Sequence, residues 1–478
     1  MGDTLPEPPP QPTTPPVRKF GCGHMALCGL GLVLLAAVIW YAKLCAARKE
    51  FLRHAEQLVA EIEAQRPYVP DAENAAELYR EAFKLYVSPR DSGAAWQDDQ
   101  KLSSAVNCVE AQSEVVAKYL KDNEPYLAAL SKAVERPSCD FGADLRNFNP
   151  TVPLQLMHYA RRFLTVAART EARRGQPGEA MEDLRVMLRL ARDSAVDDSL
   201  AVYRRGSLNT IERAWTAAVE LVLADCEPDA AQVAKLLGEL GKHCAIRSTL
   251  ESAMRADRAG FLYYYYRPLV SGKEPAMRKI AGAGFSDFLD DLMHCGGHRP
   301  FLYAARAGLW QQSGYVIRDA RHYEVFTGRY AAAAGKAFPE ALDQAQAISR
   351  EAAKQAGWWS FASDEPLSDF PQAILGEARA LARLRTAQLG LGCRLYKLKF
   401  GAYPDKLSDL SAKLPEQFKT LPVDPFTGKD MLYKRTDKGC KVYSVGDNRK
   451  DDGGLSSADR DTKAPDPYNY DYIFELKR

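Results

Sequence analysis

The chain of 478 residues lacks the short motifs that usually mark an enzyme: it has no phosphate-cradling glycine loop, no nucleophile elbow and no HExxH helix. Motif-based routes to nucleotide hydrolysis, α/β-hydrolase chemistry and zincin-type proteolysis are thereby closed. Net charge is also scarce. The 64 Lys and Arg nearly balance 62 Asp and Glu, leaving +2, so electrostatics gives no case for a nucleic-acid partner. Ten cysteines contain no Cys-x-x-Cys pair. Cys22, Cys28 and Cys45 lie in or beside an apolar run, and the seven that remain cannot all pair within one chain because the number is odd. Alternating strand patterns are almost missing between about residues 71 and 350.

What the sequence does have begins with that apolar run. Residues 25–44 are almost unbroken in hydrophobicity, and about 20 helical residues cross a hydrocarbon core of about 30 Å. Trp40 and Tyr41 stand where interfacial aromatics belong, with Arg18 and Lys19 at the other end. No small-x-small cleavage site follows the run and no lipobox precedes a cysteine, so an uncleaved signal anchor is expected. Ahead of it, residues 1–19 hold seven prolines and read as a disordered tail. Lys43, Arg48, Lys49 and Arg53 follow the span and, counted alone, favour a cytoplasmic C-terminal side. Large C-terminal domains translocate largely regardless of charge, and the extracytoplasmic orientation is the one expected here.

Beyond the anchor an amphipathic helix is predicted over residues 46–63, interrupted by Pro67 and Pro70. From about residue 71 to 350 the chain is rich in Ala, Leu, Glu and Arg at helical spacing. Residues 159–174, a Gly175-Gln176-Pro177-Gly178 turn and residues 179–192 predict a helical hairpin. With Ala172, Gly175, Ala180 and Leu184 that hairpin resembles a single tetratricopeptide unit, but no second copy follows in register. Helices are also expected over 207–224, 230–244 and 249–266. The run Tyr263 to Tyr266 reads as core or groove lining, and Trp358-Trp359 with Phe361 as packing at a junction.

One segment could carry metal chemistry. Asp290 and His294 stand at i, i+4 on a helical face, with Cys295 and His298 within the next turn, so O, N and S donors could converge on a transition metal. A second pair would have to come from His243, His322 or scattered cysteines. The plainer reading makes Gly296-Gly297 a helix terminator and the cluster a helix end.

The last hundred residues are the most organised. Leu381, Leu384, Leu391, Leu395 and Leu398 mark a helix that Gly401 and Pro404 stop. Strand-like segments follow at Met431-Leu432-Tyr433 and 441–445, then Gly446-Asp447-Asn448-Arg449-Lys450-Asp451-Asp452-Gly453-Gly454, then a last strand near 470–474. Asp447, Asp451 and Asp452 offer carboxylates and the glycines let carbonyls turn inward, which suits Ca²⁺ with its 6–8 oxygen ligands. Asp459, Asp461, Asp466 and Asp471 are further donors within reach. The alternative for the same residues is a solvated acidic turn.

Taken in order, Tyr403-Pro404, Leu421-Pro422-Val423-Asp424-Pro425-Phe426 and Tyr443-Ser444-Val445-Gly446-Asp447 resemble the C-terminal domain of the major pseudopilin of type II secretion systems. The resemblance covers about a fifth of the chain. It implies a small α+β module and calcium ligands at Asp447 and at an acid near the end, Asp471 first. This chain departs from the family in Arg449 and Lys450 inside the loop and in a longer tail before Asp471. Nor does the apolar run carry a prepilin's acidic residue, so a fibre subunit is not expected.

The sequence therefore predicts a mainly α protein. Its expected parts are a tail (1–19), a transmembrane anchor (20–44), a juxtamembrane helix (45–70), an irregular and at most solenoid-like helical domain (71–365), and a pseudopilin-like α+β domain (366–478). The expected role is a non-catalytic, single-pass protein of the bacterial inner membrane with its bulk in the periplasm, binding an envelope or secretion-related protein, with Ca²⁺ on Asp447, Asp451, Asp452 and Asp471. The alternative is a membrane-tethered, metal-dependent hydrolase using the segment from Asp290 to His298.

Overall fold

With no proline between Pro16 and Pro67, nothing interrupts helical hydrogen bonding through the apolar run, and a single helix α1 (Cys22–Gln65) results. It ends just before the Arg66-Pro67 bond, as the steric restriction ahead of proline requires. From Gly29 on, this helix is long and apolar enough to cross a membrane. Leu32, Val33 and Val38 are 65–68% exposed, a continuous apolar surface that water does not favour.

The computed structural model describes residues 22–89, 91, 114–142, 144–147, 154–195, 201–246, 250–273, 308–357, 359–360, 362–437, 439–455 and 470–477. The chain divides into two units, Met1–Phe51 and Leu52–Arg478. The second takes in the end of α1, then α2 (Ala76–Lys84), α3 (Glu114–Asp122), α4 (Glu124–Val134), α5 (Leu154–Arg173), α6 (Pro177–Ala195), α7 (Ala201–Asp225), α8 (Ala230–Ile246) and α9 (Leu250–Phe261). The predicted hairpin is α5 and α6. Gly175 turns the chain at φ 73° and Pro177 opens α6, where its missing N–H costs nothing. Phe163, Leu164, Leu184 and Met187 from that pair belong to one buried cluster with Trp215 and Val219 of α7, and the buried Trp215 indole donates to the Leu184 carbonyl at 2.8 Å.

The helix expected over residues 249–266 changes character part-way. At the tyrosine run α9 gives way to a π-turn, Leu262–Tyr266, before α10 (Arg267–Ser271). Phe261 stacks on Tyr265 at 4.8 Å while Tyr266 is fully buried. Then come α11 (Tyr315–Ala334), α12 (Glu340–Gln355), α13 (Asp364–Phe400) and α14 (Ser408–Lys413).

Helix α13 organises the second unit. Leu384, Ala387, Leu389, Leu391, Cys393 and Leu395 are all fully buried, and only Leu381, Arg383, Arg385 and Gln388 of residues 381–395 are partly exposed. On one side it packs against α7, α8, α11 and α12, and on another against a three-stranded sheet of β1 (Leu432–Thr436), β2 (Gly439–Ser444) and β3 (Tyr472–Leu476). The sheet is antiparallel in the order β1-β2-β3, with Leu432 opposite Tyr443 and Ser444 opposite Tyr472. Gly390 and Gly392 allow the close approach. A Cβ on Gly390 would lie 2.1 Å from Cδ1 of Phe474, and one on Gly392 would lie 2.5 Å from Phe418. Gly401 closes α13 in the left-handed conformation at φ 81°, where the sequence places its stop.

The helical region and the sheet belong to one unit, because α13 serves as core for both.

Candidate functional site

The acidic loop leaves β2 at Ser444 and returns to β3 at Tyr472, so the register of the β2–β3 pair fixes its two ends side by side. Gly446 makes this possible at φ 68°, since a Cβ there would lie 2.5 Å from the Tyr470 carbonyl. Gly453 (φ 84°) and Gly454 (φ 74°) turn the chain again, and Arg449 also adopts a positive φ of 57°.

Asp424 braces the entry. Its Oδ1 accepts the Phe426 N–H at 2.8 Å and its Oδ2 the Val445 N–H at 2.9 Å, with 1% of the residue exposed. It thus ties the Asp-Pro turn to the end of β2.

Each of the four predicted site residues is placed. Asp447 meets Arg379 of α13, whose Nε donates to Oδ2 at 2.9 Å and whose Nη2 donates to the same oxygen. The Tyr472 hydroxyl donates to its Oδ1 at 3.0 Å. Asp451 accepts the Gly453 N–H at 2.8 Å, and Asp452 accepts Nδ2 of Asn448 at 2.8 Å. Asp471 is 2% exposed. It accepts the Gly454 N–H at 2.8 Å on Oδ2 and the Asp452 N–H at 3.4 Å on Oδ1. Burial raises its carboxyl above the ordinary range, the two backbone N–H groups act in the opposite sense, and the Asp452 and Asp451 charges raise it further.

Two more cations bear on the loop. Lys434 of β1 donates to the Gly453 carbonyl at 2.7 Å, and Arg449 reaches Asp343 of α12 at 2.7 Å. The structure brings Asp451, Asp452 and Asp471 to the same turn and holds Asp447 on the guanidinium of Arg379. Calcium asks for six to eight oxygens directed at one point, whereas these oxygens are directed at protein donors. Among the described residues no group of three or more His, Cys, Asp or Glu side chains is placed to hold a metal ion. Asp459, Asp461 and Asp466, the further donors named for such a site, lie outside the described residues.

The candidate transition-metal segment, Asp290, His294, Cys295 and His298, lies outside the described residues. Two of the partners named for it, His243 and His322, are among the described residues. His243 shares a 2.6 Å hydrogen bond with Glu212, both buried, and His322 packs on Phe326 and Trp359. Trp359 is buried and lies under Arg318 at 4.3 Å, while Trp358 and Phe361 are outside the described residues.

Sequence reading missed a second polar cluster. Asp193 accepts the Tyr79 hydroxyl at 2.8 Å and Nε of Arg189 at 2.8 Å inside the helical core. Burial pushes its carboxyl up to about 6, with Arg189 and Tyr79 acting against that rise. The partners lie 114 residues apart, and only the Arg189 to Asp193 spacing of i, i+4 is visible in the sequence. A groove of about 440 Å³ on α11 is lined by Arg318, Arg321, His322, Phe326, Gln355 and Trp359.

Comparison with protein-family models, curated proteins and solved structures found no match. The pseudopilin-like reading of residues 366–478 stands on its sequence blocks.

Proposed function

We propose that this chain is a single-pass bacterial envelope protein, non-catalytic, that displays its soluble unit on the extracytoplasmic side of the inner membrane to bind another envelope or secretion-related protein. One observation carries the tethering. The exposed apolar stretch of α1 runs uninterrupted into the residues that open the second unit, so anchor and soluble unit share a helix rather than a flexible linker.

The binding role is supported by the groove on α11. Arg318 and Arg321 are exposed on it and bring positive charge, while Phe326 and Trp359 are buried, and arginine is enriched where proteins recognise one another. In this reading the pseudopilin-like segment is a structural layer on α13 and not a fibre-forming element. Carbonate extraction of membranes tests the tether. The chain is expected to stay in the pellet, and release into the soluble fraction would contradict it.

A further inference from the structure

The four carboxylates of the loop need positive charge nearby, since their mutual repulsion opposes closing it. Two elements outside the loop provide it. Arg379 comes from α13, 68 residues before its partner Asp447, and presents a fixed fork that is charged at every accessible pH. Lys434 comes from β1 and takes the Gly453 carbonyl, an oxygen of the type a calcium loop would turn inward.

We propose that Arg379, assisted by Lys434, is a built-in cation that closes this loop in place of calcium. Asp447 is engaged on both oxygens, by Arg379 and by the Tyr472 hydroxyl. Asp471 is engaged on both by backbone N–H groups of Asp452 and Gly454. A divalent ion entering here would have to displace a charge-assisted bond at Asp447 and approach two resident cations. Arg383, one turn after Arg379 on α13, covers the Tyr472 ring at 4.4 Å and holds that phenol against Asp447. Arg449, a departure from the pseudopilin pattern, takes its charge out to Asp343 rather than into the loop. The turn of residues 446–454 is then held constitutively, set by folding and independent of the cation content of the compartment. The inference is independent of the membrane orientation.

The test uses the full chain in detergent. Wild-type protein dialysed against calcium is expected to retain no stoichiometric ion and to melt at the same temperature in calcium and in excess chelator. Arg379→Gln is expected to lower the midpoint by about 2–4 °C in chelator. Calcium should restore part of that loss, and magnesium, which holds its water, less of it. Should Arg379→Gln fail to fold, Asp447→Asn decides: it removes the same ion pair and should lower the midpoint by a similar amount with no response to calcium. Stoichiometric calcium on the wild type, a wild-type midpoint several degrees higher in calcium, or an unchanged midpoint for Asp447→Asn would each overturn the proposal.

Discussion

At the scale of single residues the structure turns on a few close approaches and buried charges. Gly439 is the tightest, because an added Cβ would lie 1.6 Å from the Leu476 carbonyl oxygen, and backbone in a paired strand cannot move aside. Gly390 faces the ring of Phe474 instead, which can shift. Gly390→Ala is expected to cost about 1–3 kcal/mol and Gly439→Ala more, measured by denaturant unfolding. Glu220 of α7 gives a pH prediction. It accepts the Glu475 N–H of β3 at 2.8 Å, and burial lifts its carboxyl from 4.5 to about 7, the N–H acting against that rise and the Glu475 charge adding to it. A carboxyl raised in the folded state favours folding below its unfolded value, and that contribution is lost as pH rises through the folded one. Stability from this group should therefore fall between about pH 4.5 and 7. Glu220→Gln keeps an acceptor for Glu475 and should flatten that slope in melts across the interval; an unchanged slope would assign the dependence elsewhere. Such residues show how far a sequence can be read. The acids Asp447, Asp451, Asp452 and Asp471 stand out because they cluster along the chain. Arg379, Lys434 and Asp424 do not, because their role exists only once α13 and the Asp-Pro turn are brought beside the sheet.

At the scale of elements α13 is decisive. Its second half was legible from the leucine spacing and its stop from Gly401, whereas its first turns were not, since Pro371 falls inside the helix and reads as a breaker. The hairpin of α5 and α6 was legible to within a few residues because Gly175 and Pro177 punctuate it. The strands were found but misjudged in extent, β1 running on to Thr436, because pairing with β2 and not local propensity sets its length. The π-turn at the tyrosines carries no period that would reveal it. Because α13 is core to both the helical layer and the sheet, truncating Leu384 or Leu391 to Ala is expected to cost about 2–5 kcal/mol. Near-UV and far-UV circular dichroism should report that loss in one shared transition. Two separate transitions, with only one moved by Leu391→Ala, would mean that sheet and helices unfold independently.

At the scale of the whole molecule the chain reads as an apolar helix leading into one large mixed unit. Length and composition made both parts visible in the sequence. The separation between the two units falls between Phe51 and Leu52, inside α1. A role that depends on display at a membrane surface makes the side of that membrane the central claim. Protease added to sealed right-side-out vesicles tests it most directly. The account predicts digestion of the Leu52–Arg478 unit from outside, leaving a short membrane-protected fragment that contains the apolar part of α1. Full protection of the soluble unit until the vesicles are opened would place it in the cytoplasm and contradict the account.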